Sequence, residues 1–273
     1  MISRFKILAP VILFALTFTL HGFGQNTSKK KDEKKKPAET VTTKDVAKNA
    51  TADQVAESVI FIYGLGGGRA VLNQIRKTAL ERGKISVTNA EGRTDQATYQ
   101  RWTQRAETLN KEKIRLDQEF PKGSYALVFT DEKIFGIVDN SVFTPRQDAS
   151  RAFENQIIHG LDALLRYKEN ESKVDLGGRE KLLGVDYYLL DVTDKQSRKT
   201  RFFVSSKSFR VMMLDYEQDG VKYRRKFYDY NYAQGTLVPF RTTLSADNKI
   251  VEETEVGTIT FGQKIDEALF SIG

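Results

Sequence analysis

Cysteine is absent from all 273 residues. That excludes disulfides, thiol catalysis, thiolate metal sites and a lipid carried on an N-terminal cysteine. Histidine is nearly absent too, with only His21 and His159. A zinc centre built on several imidazoles is therefore excluded. A Ser-His-Asp triad would have to recruit His159, which stands beside Ile157, Ile158 and Leu161 and reads as a packed or surface residue. No Gly-x-Ser-x-Gly elbow occurs. A phosphate loop is also missing. Gly64, Gly66, Gly67 and Gly68 follow an apolar run ending at Tyr63, but Arg69 occupies the sixth position, where the dinucleotide fingerprint needs glycine. No Gly-Lys-Ser/Thr follows either. These glycines read as a break between two helices. Beyond residue 20 there is no long hydrophobic run, so no later segment is a candidate membrane span.

The one long apolar run is at the N-terminus. Arg4 and Lys6 precede an uncharged stretch from Ile7 to Leu20, and small residues Gly22 and Gly24 follow. This is the order of a cleavable secretory signal, with cleavage expected after Gly24. The run is too short for an anchor and contains Pro10. The net charge of +7 is concentrated here, because residues 1–36 hold eight basic and two acidic side chains. The rest is close to neutral, which argues against a nucleic-acid partner. Residues 25–50 are lysine-rich without apolar periodicity and read as a disordered linker, either a solvated spacer or a segment drawn to an anionic membrane surface. The expected organisation is a signal peptide over 1–24, a linker over 25–50 and one folded domain over 51–273. The mature chain is expected to be periplasmic, soluble and monomeric.

Within the domain, Thr51 or Asp53 can cap a helix in which Val55, Val59 and Ile62 recur at helical spacing. A second helix carries Val71, Leu72, Ile75 and Leu80 and is expected to stop at Gly83 after Arg82. The apolar period then falls towards two. Strands are expected over 84–88, 97–106, 113–120, 125–130 and 133–139, then a helix over 148–167. Further strands follow over 186–192, 199–205, 210–217, 221–230, 238–245 and 250–261. Asp219-Gly220 is the clearest hairpin turn. The count is eight to eleven antiparallel strands with two or three helices. Alternation sets Tyr188, Leu190 and Val192 on one face, with Phe202 and Val204, and with Met212, Leu214 and Tyr216, doing the same on their strands. A mainly β, α+β domain follows, its hairpins curling into a barrel or sandwich whose apolar face the helices cover. Glu252, Glu253 and Glu255 read as the wet face of an edge strand. Tyrosines between Tyr216 and Tyr232 could ladder across a hairpin.

Four segments then resemble one family. The stretch from Ala52 and Asp53 through Tyr63, Gly64, Gly66, Gly67, Gly68, Arg69 and Leu72 to Ile75 resembles the first helix pair of the LolA/LolB-type lipoprotein-carrier superfamily. Gly184 to Val192 is similar to that group's strand after a glycine turn. Tyr228, Asp229 and Tyr230, then Gly235, Pro239 and the closing Asp266 to Phe270, match its later elements in order and spacing. The resemblance spans nearly all of residues 51–270. It implies an unclosed, curved antiparallel half-barrel with helices across its concave face and an apolar cavity between them. It implies a non-enzymatic carrier of lipid or lipoprotein acyl chains towards the outer membrane, or a sensor on the same scaffold. No cofactor or metal is implied, and the partner would be a membrane-bound donor or acceptor protein. The cavity would be lined by Val55, Val59 and Ile62 on the lid helix and by Tyr188, Leu190, Phe202, Val204, Met212 and Leu214 on the sheet. No lid-locking arginine of the family can be matched, and Tyr223 to Lys226 aligns with none of its motifs.

Overall fold

The computed structural model describes residues 50–89 and 91–271. The expected signal peptide and nearly all of the expected linker lie outside the described residues. Helix α1 (Ala52–Tyr63) starts on a reciprocal cap. The Thr51 hydroxyl accepts the Gln54 amide at 3.2 Å, and the Gln54 side chain accepts the Thr51 amide at 2.9 Å. It stops at Gly64, where a Cβ would meet the Gly68 carbonyl oxygen at 2.8 Å, so only glycine allows the tight turn into α2 (Gly68–Ile75). No single helix among the described residues is long and apolar enough to cross a membrane. Helices α1 and α2, bent by 47°, reach that composition only as a pair.

Thirteen strands follow. They are β1 (Thr78–Thr88), β2 (Thr94–Gln104), β3 (Lys113–Phe120), β4 (Gly123–Thr130), β5 (Lys133–Val138) and β6 (Ser141–Phe143), and then β7 (Lys173–Leu182), β8 (Val185–Thr193), β9 (Lys199–Ser205), β10 (Val211–Gln218), β11 (Val221–Ala233), β12 (Thr236–Ala246) and β13 (Lys249–Phe261). Between β6 and β7 lie α3 (Gln147–Ile158) and α4 (Leu161–Leu165). The strands form one antiparallel sheet in the order β6-β5-β4-β3-β2-β1-β13-β12-β11-β10-β9-β8-β7, and its two edges do not meet. This is a mainly β, unclosed sheet with helices. The chain starts at the sheet's centre and meanders out to the β6 edge. It returns by α3 and α4 to the far edge β7, then meanders back until β13 pairs with β1. Because β6 and β7 are opposite edges, their connection must traverse a face of the sheet, and that puts α3 and α4 over the interior.

Several sequence expectations are corrected. The strands exceed the expected eight to eleven because β6 and β7 are present as well. The second helix ends at Ile75, and Gly83 lies inside β1. A Cβ at Gly83 would meet the Glu255 carbonyl oxygen at 2.1 Å, where the β1–β13 register slips, so this glycine serves a bulge and not a helix stop. The helix expected over 148–167 breaks at His159-Gly160. Glu252 and its neighbours are on β13, which lies at the sheet's centre and not at an edge.

The interior divides in two. A large core gathers α1, α2 and α4 against β8 to β12, with Phe202, Leu190, Leu214 and Leu237 fully buried. A smaller one sets Phe153 and Ile157 of α3 over Ile85, Tyr99, Leu116 and Leu127. On the convex face Asp191, Arg201, Asp215 and Arg224 pair across four adjacent strands, with Arg201 to Asp191 at 2.7 Å and Arg224 to Asp215 at 2.7 Å.

Candidate functional site

Most of the side chains expected to line an apolar cavity come together in one buried cluster. Val55, Val59, Tyr188, Leu190, Phe202, Val204 and Leu214 all belong to the one large core, and each is at most 4% exposed. Ile62 is partly buried against the same cluster. Met212 is not with them. The pairing of β9 with β10 slips between Val211 and Met213. This bulge turns Val211 into the core and packs Met212 with Tyr187, Leu189, Phe203 and Met213 in a separate cluster. Strict alternation cannot reveal a bulge, which is why Met212 was misplaced.

Helix α1 packs its apolar face into this core. Val55, Ala56, Val59, Ile60 and Tyr63 are each 1% exposed or less. The Tyr230 hydroxyl donates to the Val211 carbonyl, so the Tyr63 hydroxyl donates to Tyr230, 2.8 Å away. Burial pushes Tyr63 up to about 12. The other side of α1 is held by polar ties to the chain after α4. Glu57 meets Arg69 at 2.8 Å and Lys168 at 2.9 Å. Arg69 also meets Glu169 at 2.6 Å and the Leu165 carbonyl at 3.3 Å, and the Tyr167 hydroxyl bonds Asp53 and Glu57. Partial burial opposes ionisation of Glu57, but Lys168, Arg69 and Tyr167 outweigh it and bring its pKa down to about 2. Arg69 in this role could be suspected from its place after the glycine run, but its partners Leu165 and Glu169 are 96 and 100 residues away in sequence.

A seam of charge separates the two cores, and sequence reasoning missed it. Glu112 is 1% exposed and faces Arg166 and, at 3.4 Å, Arg105. Arg105 also pairs with Asp162, which Arg76 approaches at 3.5 Å. Arg76 donates to the Thr236 hydroxyl at 2.9 Å and to the Leu237 carbonyl at 2.8 Å. Burial pushes Arg166 down to about 10 and lowers Arg76 as well. Burial acts against the Asp162 carboxylate, yet Arg105 and Arg76 keep its pKa below the usual range. The seam continues through Arg101, Gln156 and Glu252, with Gln156 to Glu252 at 2.9 Å and Arg225 to Glu252 at 3.0 Å. These residues lie near the ends of several strands and helices, and no local pattern links them.

Two open hollows have linings of mixed polar and apolar character. One, of about 900 Å³, is lined by Glu154, His159, Arg198, Gln218, Lys222 and Asp247 among others. Another, of about 650 Å³, is bordered by Arg82, Tyr99, Arg115, Asp117 and Tyr125. His159 bonds Thr200 at 2.7 Å and stacks on Tyr216 at 4.1 Å, and Tyr216 stacks on Tyr223 at 4.9 Å, as expected for a cross-hairpin ladder. Among the described residues no group of three or more His, Asp or Glu side chains could hold a metal.

No protein-family model and no curated protein matches the chain in sequence. Solved structures do match its fold. A LolA superfamily protein from Nitrosomonas europaea superposes with a TM-score of 0.59 at 14% identity, covering 82% of this chain and 98% of that one. A DUF1329 family protein from Desulfovibrio piger gives 0.58 at 13% identity, with the same coverage. A putative outer membrane lipoprotein-sorting protein domain from Vibrio parahaemolyticus gives 0.50 at 13% identity, covering 80% and 97%. The chain has a LolA-like fold.

Proposed function

We propose that this protein is an exported, non-enzymatic carrier of lipid or lipoprotein acyl chains in the periplasm, and that α1 holds the ligand's place in its closed form. The signal peptide over 1–24, the linker over 25–50 and the carrier domain over 51–273 are part of this reading. The observation that carries it is the filling of the sheet's concave trough by the apolar face of α1, while the helix's other side is tied only by polar contacts near its rim. The fold shared with a lipoprotein-sorting domain supports it.

The energetics favour exchange over opening. Burying Val55, Val59, Ile60 and Tyr63 contributes about 6–12 kcal/mol, as an upper bound. That is too large for α1 to lift often by itself. An acyl chain of about 15 methylenes contributes about 12 kcal/mol on burial, so replacing the helix by a chain is close to neutral. Ligand would enter as α1 swings out about Gly64 to Gly68. The charged seam would remain, because it belongs to the sheet, α3 and α4.

The lack of cysteine gives a direct test. Ile62→Cys introduces a unique thiol, half-buried under α1. Native mass spectrometry of the mature chain should show co-purified lipid. A fluorescent fatty acid should bind, and lipid should speed labelling of the thiol as α1 lifts. No lipid, no probe binding and unchanged labelling would remove the carrier reading. The open clefts, with many charged side chains in their linings, favour a second reading, a sensor or regulatory binding module that works through its surface. Under that reading the protein ignores lipid but captures one specific membrane protein.

A further inference from the structure

The turns of the sheet fall into two sets. At one end, the non-glycine residues with positive φ in the hairpin turns are Asp139, Asn140, Ser197, Asp219, Asp247 and Asn248. Short polar side chains tolerate this conformation because they bond their own backbone. The opposite end carries the β7–β8 and β9–β10 turns and the junction of α1 with α2. Tyr63 places the junction there through Tyr230 and the first residue of β10, and Ser206 donates to Asp186 beside the β7–β8 turn at 2.9 Å. At that end Asp131, Glu132 and Gln234 share positive φ with three large apolar residues, Leu65 (48°), Leu183 (48°) and Phe209 (53°). A leucine in the left-handed region is strained by its Cβ. Phe209 recovers packing by stacking on Tyr188, with ring centres 6.1 Å apart. Leu65 is 60% exposed and Leu183 fully exposed, so neither recovers anything within the fold. Phe61, 53% exposed, stands one helical turn before Leu65. Lys181 near the end of β7 and Lys207 in the β9–β10 turn are exposed, Arg179 lies over the Tyr188 ring at 4.6 Å and Arg210 over the Tyr230 ring at 5.7 Å, and Glu180 and Asp186 are the acids near them.

We propose that this end of the molecule docks on an anionic membrane surface, with Leu65 and Leu183 entering the acyl boundary and Lys181 and Lys207 facing lipid phosphates. Two strained leucines on separate protruding turns, flanked by excess cations, match the apolar points and basic surround of an interfacial anchor. The inference does not depend on carriage, since docking stands even if no lipid is taken up.

Vesicle flotation of the mature chain tests it, with phosphatidylglycerol-containing vesicles set against pure phosphatidylcholine. The wild type should float with the anionic vesicles. Asparagine suits the left-handed region better than leucine, so Leu65→Asn with Leu183→Asn should melt no lower than wild type. That double variant should lose at least about tenfold in vesicle affinity. Lys181→Ala with Lys207→Ala should lose several-fold on anionic vesicles only, with the lysine-rich segment retained. Wild-type affinity in the leucine double variant would overturn the proposal, as would failure of the wild type to bind. Leu183→Cys carrying an environment-sensitive dye gives a reading independent of variant stability. Its emission should shift to the blue on anionic vesicles, and unshifted emission from vesicle-bound protein would overturn the proposal.

Discussion

The concave face is covered twice, and the two covers differ in kind. Over β8 to β12, α1 supplies an unbroken apolar face from Val55 to Tyr63. Over β1 to β4, α3 supplies Phe153 and Ile157, then reaches outwards with polar groups: Glu154 to Arg198, Asn155 to Gln218 and Gln156 to Glu252. The first cover is held mainly by buried area, which has no direction, so another apolar body can substitute for it. The second is held by specific partners, and removing it leaves buried donors and acceptors unpaired. One sheet therefore carries a cover that can be exchanged and one that cannot, with the charged seam as the boundary.

The strongest way to break this contrast is to attack the boundary. Glu112→Gln keeps the side chain's shape but leaves Arg166 and Arg105 facing a neutral amide in a buried site. Breaking a buried pair from one side costs about 3–5 kcal/mol. The urea midpoint should fall accordingly with no change in slope. A loss below about 1 kcal/mol would mean that water already reaches Glu112 and that the two covers are not separated by a dry seam.

His159 sharpens the polar side of the contrast. Burial against the sheet, helped by nearby Arg198, lowers its pKa from 6.5 to about 4. The unfolded chain therefore takes up the proton first as pH falls. Stability is fully present above about pH 6.5 and is lost progressively towards pH 4, by about 3 kcal/mol in all. His159→Phe keeps a ring on Tyr216 but leaves the Thr200 hydroxyl without its partner. It should be less stable at pH 7 and should show a flatter melting temperature between pH 7 and pH 4. An unchanged slope would mean that the imidazole is already solvated in the folded protein.

The sequence showed the parts of this molecule that follow local rules. Thr51 caps α1, the glycines after Tyr63 break the helices, and the apolar faces of β8 and β9 lie where alternation put them. Met212 and Gly83 were misread because each sits at a bulge, and a bulge is a property of two strands and not of one. The edge β7 was missed because its exposed run from Lys173 to Leu182 has little apolar alternation to detect. The candidate site was half legible. Met212 apart, the side chains named for the sheet do share one buried face, but the sequence could not show that Val59, Ile60 and Tyr63 pack against it. The charged seam was invisible, because Glu112 and Arg166 are 54 positions apart and each reads as an ordinary surface residue.

The smallest expected effect concerns how α1 is held. Glu57 has its pKa lowered from 4.5 to about 2 by Lys168, Arg69 and Tyr167, against the opposing effect of its own burial. A lowered carboxyl pKa stabilises the folded state above about pH 4.5, and this is lost as pH falls towards 2. The Glu57 side chain is 36% exposed, so solvent screening limits its contribution to about 1 kcal/mol or less. Glu57→Gln should therefore barely move the global melting temperature at pH 7. Its effect should be local: amide exchange in α1 should quicken several-fold while β1 to β5 stay unchanged, and a fatty-acid probe should bind a few-fold more tightly. If exchange quickens equally in α1 and α3, the two covers rise and fall together. The distinction between an exchangeable lid and a fixed one then fails, although every contact that suggested it remains in place.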